Sequence, residues 1–426
     1  MKLPSYNWEE ILNRRMLICV GTGFASGLPL YLLIQLVPAW LRLEEISLTD
    51  IGFFTLVTLP YTLKFLWSPL LERFTLPWLG RRRGWMLASQ VLLVLAIGSM
   101  GYWQPKEDLM VIAVIATGVA IFSATQDIAL DAFRREILNT DGELAMGNTI
   151  HVQAYRIAGL VPGSLGFILA GTISWQANFQ IMAAFMLSGI LVTVIVREPP
   201  APAVVPRTLM DAVIMPFTEY FSRRALGPAL AVLAFMALYK LGDNLATTLA
   251  SPFYIDMGFS PEQIGLIAKN AALWPSIIGG VLGGLLIVKI GINKALWAFG
   301  VVQVVTIFGF VWLSKAGADP WILAIVISGE YLGVGLGAAA SVAFIARETS
   351  KLAVATQFAM FTAIASLPRL IAGALSGVVA DAVGYTNLFY LSAALAIPGM
   401  VLLIWVAPWN APISRDPEAQ QDAKAV

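Results

Sequence analysis

A single cysteine, Cys19, and a single histidine, His151, occur in a chain of 426 residues. One cysteine excludes a disulfide within the chain. Its place in an apolar run reads as an inert buried thiol. One histidine excludes a multi-histidine metal centre. Charge is scarce as well. Asp, Glu, Lys and Arg make up 12% of the residues, where a soluble domain carries about 25%. A net charge of +1 provides no global field to attract nucleic acid, and none is expected as a partner. A cleavable leader is not evident either. Arg14 and Arg15 precede an apolar segment of spanning length, without a short core and cleavage site.

Apolar side chains fill the place of the missing charge. They are 58% of the chain, and the mean hydropathy is +0.78. Crossing a ~30 Å hydrocarbon layer takes about 20 such residues. Twelve segments qualify, near 16–41, 50–71, 84–103, 109–133, 148–172, 178–196, 226–254, 262–288, 294–314, 320–346, 354–380 and 386–407. The fold class is therefore all-α membrane protein. Six spans fall in 1–196 and six in 226–407, joined by a polar linker over 197–225 and followed by a polar tail, 408–426, expected to be disordered. Nineteen of the 27 Lys and Arg lie on one side, three on the other and five within spans. That bias predicts both termini in the cytoplasm. The linker opens with a Pro-rich spacer. It continues with L-M-D-A-V-I-M-P-F-T-E-Y-F, whose spacing suits a helix lying on the membrane or one that binds a partner.

The halves repeat at an offset of 213 residues. Ser47-Leu-Thr-Asp-Ile51-Gly52 overlies Ser260-Pro-Glu-Gln-Ile264-Gly265, each with a serine placed to cap a helix. Arg156 overlies Arg369, and Arg135-Glu136 matches Arg347-Glu348 at nearly the same offset. A parallel repeat of six spans is the layout of major facilitator transporters, whose site lies between the halves. Between spans two and three, Ser68-Pro-Leu-Leu-Glu72-Arg73 and Gly80-Arg81-Arg82-Arg83 resemble the G-x-x-x-D-R-x-G-R-[RK] loop of that superfamily. Ser68 and Glu72 depart from its Gly and Asp, and six residues are inserted before Gly80. A degenerate copy follows in the second half around Lys289, Gly291 and Lys294. The loop reads as topogenic charge or as a conformational latch built from Glu72, Arg73, Gly80, Arg81, Arg82 and Arg83.

The stretch Ala120–Glu136 places Gln126, Asp127 and Asp131 in a spanning helix. A carboxylate at that depth costs roughly 2.5–3.5 kcal/mol on insertion scales, so it needs a partner or a task. Lys64, Asp127 and Arg156 fall at one depth of the N-terminal half and can form a triad, while Asp131 lies nearer the interface. The C-terminal half offers Tyr239, Lys240 and Asp243, with Lys240 and Asp243 three apart on one face. It adds Lys269 with Asn270, Glu330 with Tyr331, Gln357 and Arg369. Five cations against four acids suit an anionic, polar, bulky solute, and Gln35, Gln126, Gln153 and Gln357 supply amides that read sugar hydroxyls and peptides. His151, four residues before Tyr155, reads as an interfacial residue or a proton relay. Trp274 is placed for stacking on a sugar.

Several of these segments resemble one family. G-F-A-S-G-L-P-L at 23–30, K-F-L-W-S-P-L at 64–70, G-R-R-R-G-W at 80–85, S-A-T-Q-D-I-A-L-D-A at 123–132, Y-R at 155–156, Y-K-L-G-D at 239–243 and A-T-Q-F-A at 355–359 resemble the AmpG muropeptide permeases, across essentially all twelve spans. The resemblance implies a permease of the bacterial inner membrane, and a monomer is expected. It would import N-acetylglucosaminyl-1,6-anhydro-N-acetylmuramyl peptides with protons, for cell-wall recycling and β-lactamase induction, without a cofactor. Transport of another anionic or polar solute is the alternative. Asp127-x-x-x-Asp131 also resembles part of the N-D-x-x-D-x-x-x-D motif of intramembrane prenyltransferases. The first aspartate is missing, with Ala124 in its place, and no second cluster follows, so ion pairing is favoured over a metal.

Overall fold

The computed structural model describes residues 13–76, 79–138, 141–198, 218–349 and 354–410. They form twelve helices in two sets of six. The first set is α1 (Arg14–Leu43), α2 (48–73), α3 (Arg81–Met100), α4 (Pro105–Ile137), α5 (141–170) and α6 (Trp175–Ile195). The second is α7 (Leu226–Asp256), α8 (Pro261–Ile290), α9 (Ile292–Ala316), α10 (Pro320–Glu348), α11 (354–383) and α12 (385–406). Ten helices are long and apolar enough to cross a membrane as they stand. The last of these holds both α11 and α12, which continue into each other through Gly384 alone, at φ 78°. The helix outside the ten is α2, which alternates short α and 3₁₀ pieces. Pro60 and Pro69 explain the breaks, since each lacks an N–H and crowds the preceding turn.

Each expected span overlaps one of these helices. The third is displaced. It begins at Arg81, so the three arginines occupy its first turn rather than a preceding loop. Of the linker, 197–198 and 218–225 are described, and 218–222 is helical. The rest of the expected interfacial helix and the tail after Asn410 lie outside the described residues.

Lipid gives helices no hydrophobic reason to associate, so packing rests on close backbone approach. In the first half α1 lies on α5, where Gly23 and Gly27 face the carbonyls of His151 and Tyr155. In the second, α8 lies on α10, with Gly279 against Leu332 O and Gly335 against Ser276 O. The repeat is visible in the caps: Ser47 accepts from the Asp50 N–H at 3.0 Å and Ser260 from the Gln263 N–H at 3.2 Å.

The repeat also governs how the halves meet. Gly52 of α2 abuts Gly377 of α11, and Gly265 of α8 abuts Ser164 of α5. Both members of the first pair map onto the second at the 213-residue offset, so the two contacts are related by the pseudo-twofold axis. Ser164 Oγ donates to Gly265 O at 2.8 Å. Both contacts lie toward the end where α1 finishes, here called the outer end. There Arg42 Nε binds Asp256 Oδ1 at 2.6 Å, Tyr385 donates to the other Asp256 oxygen, and Asp381 accepts from the Thr49 N–H and hydroxyl. Asp381 thereby caps α2 from the opposite half. Between the halves, Arg156 Nη1 also donates to Ser276 O, at 3.4 Å.

Candidate functional site

Asp127 is buried on the face of α4 that looks at α1 and α2. Lys64 Nζ lies 3.7 Å from its Oδ2, and Ser26 donates to its Oδ1 at 2.6 Å. The neighbouring Gln126 donates to Ala25 O at 2.8 Å. The expected triad is thus a pair with a serine. Arg156 instead donates to Ser276 O of the other half, on a helix whose main neighbour in its own half is α1. Arg156 and its repeat partner Arg369 both lie within electrostatic reach of the Tyr31 hydroxyl. Tyr31 packs on Tyr155 at 5.5 Å between ring centroids. Asp127 and Tyr61 complete the surroundings of Tyr155. Two equivalent arginines, one from each half, therefore act electrostatically on the same tyrosine. Such an array offers positive charge and hydroxyl donors to a polar anionic solute.

In the second half Lys240 Nζ lies 3.1 Å from Asp243 Oδ2, the expected pairing at i, i+3. Lys240 sits at a break in α7, between helical pieces ending at Leu238 and starting at Leu241. Glu330 of α10 is fully buried beside Asp243, with Thr306 and Lys240 around it. Lys269 is also buried. It donates to Ser251 Oγ at 2.8 Å and lies 4.7 Å from the Phe167 ring centroid, across the junction of the halves. Among the described residues no carboxylate pairs with it. Three π-helical turns gather here, at 32–36 in α1, 161–165 in α5 and 264–268 in α8, the second packed against both others. Such turns insert an extra residue and recur at functional sites.

A model of the Major Facilitator Superfamily matches residues 16–339. An anhydromuropeptide permease of Escherichia coli is 38% identical over 392 residues, covering 92% of this chain and 79% of its own. This chain belongs to the AmpG family of the major facilitator superfamily. A Haemophilus influenzae chain is 49% identical over 94% of this one and 96% of itself. Among solved structures, the nucleoside transporter NupG superposes with a TM-score of 0.70 at 11% identity, covering 92% of this chain and all of its own. PepTSo, of the POT family, gives 0.69 at 8%, covering 93% and 98%. At those identities the likeness concerns the fold, and with the family relatives it makes this AmpG-family chain a multi-pass membrane transporter rather than an enzyme.

Other candidates in the AmpG-family chain fall elsewhere. Asp131 is half exposed and pairs with Arg134 at 3.0 Å. Tyr239 is buried in the second half with its hydroxyl on Leu296 O, a packing role. Gln357 binds the linker, accepting from Arg223 at 3.0 Å and donating to Glu219. His151 is buried where α5 packs on α1, with Nδ1 3.3 Å from Thr22 Oγ1. Trp274 is half exposed and donates to Asn270.

The arginine loop is a clamp within the first half. Arg81 and Arg82 both bind Glu136 at the end of α4, at 2.8 and 2.9 Å. Arg83 donates to the carbonyls of Thr193 and Val194 ending α6, and Glu198 accepts from the N–H groups of Arg82 and Arg83. Gly80 permits the entry at φ 98°, as Gly291 does for α9 at φ 82°. The side chains of Glu72 and Arg73 lie outside the described residues. Sequence reasoning passed over Ser26, Tyr31 and Tyr61, which are ordinary residues of apolar spans. It also passed over Asp256 and Asp381, which read as loop acids until the halves are brought together.

Proposed function

We propose that this chain imports N-acetylglucosaminyl-1,6-anhydro-N-acetylmuramyl peptides from periplasm to cytoplasm across the bacterial inner membrane. The proton gradient drives the import, which serves cell-wall recycling and, in hosts that have it, β-lactamase induction. The observation that carries this reading is the 38% identity to the Escherichia coli anhydromuropeptide permease over 92% of the chain. The array of Arg156, Arg369 and tyrosines supports it, since a muropeptide combines carboxylates with sugar hydroxyls and amides. The protein works as a monomer, with both termini cytoplasmic, as the 19 of 27 Lys and Arg on that side support. The outer end is then periplasmic, and the conformation described is closed to the periplasm.

Asp127 is the coupling acid of the first half. A symporter needs a group that binds a proton on one side and releases it on the other. Asp127 has Lys64 beside it in this periplasm-closed conformation, and an ammonium there favours release. The test is uptake of labelled anhydromuropeptide into inside-closed vesicles with and without an imposed proton gradient. Accumulation above the external concentration is expected only with the gradient. Absence of accumulation in vesicles that hold folded protein overturns the reading. In cells, a clean deletion lacking any second permease should release anhydromuropeptides to the medium.

A further inference from the structure

We infer that Lys240, Asp243 and Glu330 form a second proton site, and that Asp243 loads its proton when an anionic group of the cargo draws Lys240 away. The inference rests on the proton-driven, muropeptide-carrying reading above. Both Glu330 carboxyl oxygens and Asp243 Oδ1 are buried, and among the described residues no donor meets any of the three. Acceptors left facing one another in a sealed site need a hydrogen between them. Thr306 of α9 comes within hydrogen-bonding reach of Glu330, but its hydroxyl donates to Gln303 O at 3.1 Å; Tyr254 of α7 and Tyr331 of α10 stand near the carboxyls, and Arg369 of α11 near Tyr331. The remaining donor is a proton on one carboxyl. Asp243 already has the Lys240 ammonium at 3.1 Å on its other oxygen, so Asp243 is the ionised member and Glu330 carries the hydrogen.

Lys240 is the mobile member of the trio. Its side chain is 21% exposed, against 4% for Asp243, and its second contact, to Val334 O, is long at 3.5 Å. The break in α7 at this residue frees it from helical register. When a cargo carboxylate binds the ammonium, the Lys240–Asp243 ion pair breaks. An O–H bond then forms between Asp243 and a proton from the periplasmic side. The charge of the site is unchanged, since the carboxylate replaces the one neutralised. On cytoplasmic release the ammonium returns to Asp243, the O–H bond breaks, and the proton leaves to the cytoplasm. Glu330 keeps its hydrogen throughout and holds Asp243 in place. Equivalent helices of the two halves, α4 and α10, thus each bring a buried acid to a lysine-served site.

The test counts protons taken up on binding. Purified full-length protein in nanodiscs is titrated with anhydromuropeptide in two buffers of different ionisation enthalpy. Wild type should take up protons with the cargo. Lys240→Gln and Asp243→Asn should each take up about one proton fewer per cargo bound, because the linked group is fixed in one state. If Asp243→Asn does not yield folded protein, Lys240→Gln decides alone. Cargo binding with an unchanged proton count overturns the second site and leaves the cargo assignment intact. Failure of folded wild type to bind anhydromuropeptide overturns the cargo assignment, and this inference with it.

Discussion

Lys64 approaches Asp127 to 3.7 Å from α2 while Ser26 holds the other carboxyl oxygen from α1. The acid is therefore gripped by two helices, and one of them, α2, also forms the outer contact with α11. Movement of α2 away from α11 would alter the Lys64–Asp127 pair. On the proposed orientation and coupling, opening of the periplasmic side and the charge state of Asp127 would be linked through one broken helix.

Asp127→Asn should reduce gradient-driven accumulation to the level seen without a gradient, yet retain exchange of labelled for unlabelled cargo, because a neutral side chain can still alternate. Asp131→Asn should have the smaller effect, being half exposed and paired with Arg134. Vesicle uptake and counterflow measured side by side separate the two steps. Continued concentration of cargo by Asp127→Asn would move the coupling entirely to the second half.

Gly265→Val should favour the conformation open to the periplasm. A side chain there starts 2.7 Å from Ser164 O and 3.2 Å from Phe167 Cβ, and a backbone carbonyl does not yield. Overpacking of this kind costs about 1–3 kcal/mol, roughly a 5- to 150-fold shift between conformations. Gly52→Val, its repeat equivalent, should act in the same direction. The measure is thiol labelling at Gln35→Cys in a Cys19→Ser background from the periplasmic side. Equal labelling rates with and without Gly265→Val would refute the shift.

At the outer end, Arg42→Ala should open the gate modestly. Its pair with Asp256 is partly solvated, and such pairs contribute about 0–1 kcal/mol. Asp381→Ala should do at least as much, because it removes a helix cap, at about 0.5–2 kcal/mol. The same labelling assay ranks them. A larger effect from Arg42→Ala than from Asp381→Ala would show that charge, rather than capping, holds the gate.

Glu136→Gln should lower thermal stability without changing the number of protons bound with cargo. It strips Arg81 and Arg82 of their carboxylate, and Arg82 is buried, so a loss on the order of 1–3 kcal/mol is expected after allowing for partial solvation. A thermal midpoint in detergent and the calorimetric proton count together test this. An altered proton count would give the arginine loop a part in coupling.

The twelve spans were legible because apolar runs of spanning length leave few alternatives in a membrane. The 213-residue repeat was legible in Ser47 and Ser260 because a helix cap needs a short hydroxyl side chain at a fixed place. Lys240 with Asp243 was legible from local spacing. The Lys64–Asp127 pair followed from depth along two helices. Depth is a single coordinate, however, and it also placed Arg156 in that layer without fixing the direction it faces. Arg156 spends its contact on Ser276, and only the rotation of α5 against α1 decides that. Tyr239 and Gln357 were drawn in by composition, and packing gives them Leu296 O and the linker instead. The partners of Arg42 and Thr49 come from the opposite half, more than 200 residues away, where no local pattern reaches.

The π-helical turn at 32–36 gives α1 a stored register. It holds one residue more than an ordinary turn, and an α-helix advances about 100° per residue. Letting that turn relax would spin everything beyond Leu36 by that angle while leaving Ser26 and the lower part of α1 unmoved. Arg42, six residues on, would rotate off Asp256 without any helix having to tilt. In that case the outer contacts would part by a screw motion, with a single displaced residue as the thread.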